Sequence, residues 1–152
     1  MLKKTLFTAL PLALILASHC FAADTLSVTQ AWARATPPGA TTAAAYFTIK
    51  NNGAAADSIV GARTSVADDA SVHEMKMANG MMQMRAVPKL DIAPKATVIF
   101  SPQGYHVMLT GLKAPLKEGS QFKLSLALQG GGSIEVSIDV LGLGATAYSH
   151  AH

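Results

Sequence analysis

The 152-residue chain holds seven methionines and five histidines, unevenly placed. Met75, Met77, Met81, Met82 and Met84 fall within ten residues, His73 stands two before Met75, and Met108 stands two after His106. Side chains two apart on a strand share a face. Asn79-Gly80, in the middle of the cluster, is a strong signal for a two-residue hairpin loop. With that loop, Ala78 faces Met81, Met77 faces Met82, Met75 faces Met84, and His73 lies diagonally from Met84. His73, Met75, Met77, Met82 and Met84 then line one face. His106 and Met108 share a face of a later strand, which folding can bring beside His73 and Met84.

Two imidazoles with two thioethers make a soft, nearly neutral donor set. Thioethers favour Cu(I), and imidazole accepts several first-row metals. Zinc sites seldom use Met, and Ca(II) or Mg(II) require oxygen donors. A thiol-free site also suits an oxidising compartment, although thioethers can still form sulfoxides. Two plainer readings stay open on spacing alone. Methionine is a flexible gap-filler, so the cluster can be core, or it can form an adaptable binding surface.

The elements that position these residues read as short strands. Period-two alternation with β-branched and aromatic residues marks 26–33, 44–50, 58–64, 71–77, 81–87, 96–101, 105–110, 122–128 and 134–141. Turn chemistry separates them: Pro37-Pro38-Gly39, Asn51-Asn52-Gly53, Asn79-Gly80, Pro102-Gln103-Gly104, Glu118-Gly119 and the Gly130–Gly132 run. Such spacing predicts an antiparallel β-sandwich or barrel. One helical turn is expected over Val66–Ser71. Residues 142–152 are small and polar and read as a flexible tail. Gly142-Leu143-Gly144 is no dinucleotide loop, because no helix fits in the eight residues that follow.

The N-terminus reads as a secretory signal peptide over residues 1–22. Lys3 and Lys4 precede an apolar run, Leu6–Ala17, and small residues precede a cut after Ala22. The run is shorter than the roughly 20 residues of a spanning helix. His19 stands before Cys20, where an acylated lipoprotein would carry Gly, Ala or Ser. Cleavage removes the chain's single Cys, so disulfides and thiol catalysis are excluded from residues 23–152. Without Lys3 and Lys4, ten of the 12 basic residues face nine acidic ones. The remaining lysines and arginines are scattered, which argues against a nucleic-acid or membrane-surface patch. A blue-copper carrier needs a Cys ligand. A copper oxygenase with an N-terminal His needs a cut before His19, with Leu16 poorly placed for it. No Gly-x-Ser-x-Gly elbow is present for a hydrolase.

The spacing His73, ten residues, Met84, twenty-one residues, His106, one residue, Met108 resembles the signature of the PCu(A)C family of periplasmic copper chaperones. The flanking Val72-His73-Glu74-Met75, Met82-Gln83-Met84-Arg85 and 102–109 (PQGYHVML) resemble it too. The likeness runs from about Leu26 to Val140. It implies a cupredoxin-like antiparallel β-sandwich of Greek-key type over residues 23–141, and one Cu(I) held by His73, Met84, His106 and Met108. It implies a carrier, not an enzyme, acting in the periplasm. It also implies delivery to the copper-centre subunit of cytochrome c oxidase or to another copper chaperone. Storage or detoxification through the same site is the alternative. A monomer is expected, with no nucleic acid and no stable membrane insertion. Met75 is expected beside the metal or as a transient ligand, and Met77, Met81 and Met82 as an apolar rim. Glu74 and Arg85 are expected to pair on the opposite face. His150 and His152 are candidates for weak Cu(II) binding.

Overall fold

The computed structural model describes residues 25–149. The segment expected to be a signal peptide, with Cys20, and the candidate Cu(II) ligands His150 and His152 lie outside the described residues. Ten strands follow in order: β1 Leu26–Arg34, β2 Thr42–Asn51, β3 Asp57–Thr64, β4 Ala67–Ala78, β5 Met81–Ala86, β6 Leu90–Ile92, β7 Thr97–Ile99, β8 Tyr105–Leu112, β9 Gln121–Leu128 and β10 Ser133–Leu141. None of the described residues is helical, and none forms a helix able to cross a membrane.

The strands form one sheet in the order β5-β4-β8-β2-β1-β10-β9-β3-β6, with β7 on β2. A further pairing, Ala62 opposite Ala70, joins β3 to β4 and closes the sheet into a barrel. The expected all-β sandwich or barrel is therefore found. It is antiparallel except where the last strand lies parallel to the first, with Trp32 opposite Asp139 and Ala33 opposite Val140.

Alternation explains the interior. Phe47 and Ile49 on β2, Val107 and Leu109 on β8, Leu124 and Leu126 on β9, and Ile138 and Val140 on β10 are buried at every second position. Asn51 ends β2 inside the barrel. Its side-chain amide donates to the Ala55 carbonyl at 2.8 Å and the Ile92 carbonyl at 3.1 Å, and its oxygen accepts from Gly53 N–H at 2.9 Å. A buried amide so satisfied ties the turn after β2 to β6.

Two expectations change. Val66–Ser71 is not a helical turn: β4 already starts at Ala67. Ala67 and Ala70 are both buried, and this three-residue spacing imitated a helix. Between them Asp68 lies across from Gly111, whose φ of 71° no β-branched residue would tolerate. The second change is β6, which is not among the strands expected from sequence. It has only three residues between Pro88 and Pro94, too few for an alternation signal, yet Leu90 and Ile92 are buried against the core.

Residues 142–149, expected as a flexible tail, lie along the outside of β1, β2 and β10. The Arg34 Nε–H donates to the Ala145 carbonyl at 2.6 Å, and the Tyr148 hydroxyl to Asp139 at 3.1 Å. Ala145 and Tyr148 pack on a small outer cluster of Trp32, Tyr46 and Leu141.

Candidate metal centre

Asn79-Gly80 makes the turn that its sequence calls for. Both residues have positive φ, 51° and 76°, as a type I′ hairpin requires. The register across it is the expected one: Ala78 opposite Met81, Met77 opposite Met82, Met75 opposite Met84. His73 lies opposite Ala86, hence diagonal to Met84.

β8 lies on the other side of β4 as its hydrogen-bonded neighbour. His73 is directly opposite His106, and Ser71 directly opposite Met108. Folding was expected to bring the two candidate pairs together, and they meet on adjacent strands of one sheet. Val72 and Val107 point to the core, so the alternate residues His73, Met75, Met84, His106 and Met108 occupy the barrel's outer face.

The geometry fixes where the imidazole lone pairs point. His106 Nδ1 lies 3.3 Å from the Gly104 carbonyl, which can only accept, so Nδ1 carries the proton. The lone pair is then on Nε2, 3.3 Å from the Met84 sulfur. His73 Nε2 lies 3.1 Å from the Ser71 hydroxyl. That hydroxyl lies 3.3 Å from an Asp69 oxygen, an acceptor for its single proton, so it accepts from His73 Nε2–H. The His73 lone pair is left on Nδ1, which is buried and has no hydrogen-bond partner. Tautomers assigned by outward hydrogen bonds are the usual arrangement behind a metal-ligating imidazole. Ser71 and the Gly104 carbonyl were not singled out from sequence. Ser71 sits two residues before His73 on the same face, so its position was readable once the register was known.

His106 is only 5% exposed although it faces outward. Burial pushes its imidazole below the ordinary 6.5. The Gly104 carbonyl acts in the opposite direction, and His73 adds to the depression. The neutral, metal-competent form is thus favoured at neutral pH. A histidine depressed in the folded state stabilises the fold above its unfolded value, about 6.5, and loses that contribution as pH falls through the folded value. Metal affinity governed by His106 is accordingly expected to stay level through neutrality. It should fall only below about pH 6.5, as protons compete for Nε2. Chelator competition at stepped pH checks this: a decline already under way above neutrality would contradict it.

Among the described residues, no three His, Cys, Asp or Glu side chains converge on a common point. Glu74 and Arg85 are opposite one another in the alternate register and pair at 2.6 Å, as expected. Met75 is partly buried, while Met84 and its hairpin neighbours Met77, Met81 and Met82 are exposed.

Residues 26–140 match the family described as "Putative lipoprotein LpqE-like". A relative from Leifsonia xyli subsp. xyli, "Putative lipoprotein Lxx21020", is 35% identical over 119 residues, 78% of this chain and 70% of the relative. The chain belongs to the LpqE-like family. Among solved structures, the solution structure of CuI-DR1885 from Deinococcus radiodurans is 31% identical. It superposes with a TM-score of 0.64 over 82% of this chain and 83% of that one. The apo form of DR1885 matches at 30% identity and TM-score 0.61, over 93% of this chain and 97% of that one. The copper-bound PCuAC domain from PmoF2, at 19% identity, shares the fold with a TM-score of 0.67 over 80% of this chain and 97% of that one. The chain therefore shares its fold with PCuAC domains, the fold that the sequence resemblance implied.

Proposed function

We propose that this chain is a copper carrier of the cell envelope, binding one Cu(I) through His73, Met84, His106 and Met108. One observation carries the reading. With Nδ1 protonated toward the Gly104 carbonyl, His106 Nε2 and the Met84 sulfur are both electron donors, and they face each other at 3.3 Å. Beside them His73 Nδ1 is buried without a partner. An apposition of donors is unfavourable alone and is satisfied by a cation. Neutral nitrogen and thioether donors select soft, monovalent copper over zinc or oxygen-seeking ions. The likeness to CuI-DR1885 supports the same ion.

Carriage follows from the donor set. Thioethers hold Cu(I) less tightly than thiolates, so release to a thiolate-bearing acceptor runs downhill. The copper centre of cytochrome c oxidase is the proposed acceptor, directly or through another chaperone. No covalent step is involved, and the protein is not an enzyme. Membership in a family described as lipoproteins supports export. Cleavage after Ala22 frees the domain in the periplasm, whereas acylation of Cys20 would tether it. The mass of the N-terminal peptide distinguishes the two.

A deletion strain tests delivery. Loss of oxidase activity at limiting copper, restored by added copper, supports it. Unchanged oxidase activity with sensitivity to excess copper would assign storage or detoxification instead.

A further inference from the structure

The hairpin beyond the metal site presents thioethers that the four-residue centre does not use. Met77 is 61% exposed and Met82 45% exposed, on the face that carries His73 and Met84. The backbone brings these side chains as close as a sheet allows. Met75 N–H donates to the Gly104 carbonyl at 3.0 Å, on the side away from β5. Towards β5, Met75 and Met84 are therefore a non-hydrogen-bonded pair. Pair types alternate along an antiparallel ladder, so Met77 and Met82, two residues on, are another. Such pairs have Cα atoms only about 4.5 Å apart, with side chains closer than in the alternate pairs. A face with the same long apolar side chains but no soft donor would need only Leu. Here every such position on both strands, 75, 77, 82 and 84, is Met.

We propose that Met75, Met77 and Met82 form a second, thioether-only Cu(I) site on the hairpin, which receives the ion and passes it to the deeper centre through Met84. Three flexible thioethers suit a low-coordinate Cu(I) ion and leave it one positive charge and no change of oxidation state. Met84 is opposite Met75 and touches His106 Nε2, so one sulfur adjoins both sites. Transfer is stepwise ligand exchange: Met84 and then His106 bind the ion as Met77 and Met82 release it. No proton or electron moves. The direction is set by imidazole joining the donor set. The handover rests on the proposed His73–Met108 centre, whereas the hairpin site stands without it.

Ag(I) is the probe, sharing the charge, closed shell and softness of Cu(I) without air oxidation. The full chain is titrated while methionine methyl and imidazole resonances are followed by NMR. Two equivalents are expected. The first moves the rings of His73 and His106 and the methyls of Met84 and Met108, and the second moves Met77 and Met82. Met77→Leu with Met82→Leu keeps side-chain volume at exposed positions and should lose the second equivalent while retaining the first. Saturation at one equivalent with Met77 and Met82 unmoved overturns the hairpin site. So does a second equivalent that survives in the double variant. Movement of the hairpin methyls with both imidazoles unmoved supports the hairpin site and instead refutes the deeper centre.

Discussion

In a competition titration against a Cu(I) chelator, His106→Ala combined with Met108→Ala is expected to weaken binding by well over 100-fold. Loss of an outer partner behind a metal ligand already costs about 10–100-fold, and this variant removes two proposed ligands outright. The effect does not require β8 to fail. Val107 and Leu109, on the opposite side of the strand, are fully buried and hold it in the barrel. His106 is itself largely buried, so a second variant separates ligand loss from packing. Met108→Leu keeps the volume and removes only the sulfur, and should still weaken binding by about tenfold or more. Affinity equal to the parent in the double variant would refute the site.

Ser71→Ala is expected to weaken Cu(I) binding by about 10–100-fold, the range for partners that orient a metal-bound imidazole. Ser71 touches no proposed donor atom. It lies 3.1 Å from His73 Nε2 and holds the proton there, which leaves Nδ1 free for the metal. A role confined to folding would not move the tautomer. Nitrogen NMR of the imidazoles should show His73 protonated at Nε2 in the parent and a mixture in Ser71→Ala. Ser71→Thr, which keeps the hydroxyl, should restore both tautomer and affinity. A parent His73 protonated at Nδ1 would contradict the assignment.

Local chemistry made the hairpin readable from sequence. Asn79-Gly80 admits few turns, and once the loop is two residues long every pairing from Ala78–Met81 to Met75–Met84 follows. The pairing of β4 with β8 was not readable in the same way. His73 and His106 are far apart in the chain, and no local signal says whether two strands are hydrogen-bonded neighbours or packed across a sandwich. That choice depends on closure of the whole barrel. The outer face was equally hidden, because alternation shows which residues share a face and not whether that face points into the barrel or out of it. The roles of Ser71 and the Gly104 carbonyl had no signal in the sequence, since a carbonyl has no residue signature and a strand serine is usually just polar. The cover over Trp32 was missed for a related reason. Arg34 and Ala145 meet across 111 positions of sequence.

The central claim is the donor set around a single copper ion. X-ray absorption on the protein loaded with one equivalent of Cu(I) reads it directly. Two nitrogen and two sulfur scatterers are predicted, from His73, His106, Met84 and Met108. An oxygen-dominated shell, or a shell of sulfur alone at that stoichiometry, would contradict it.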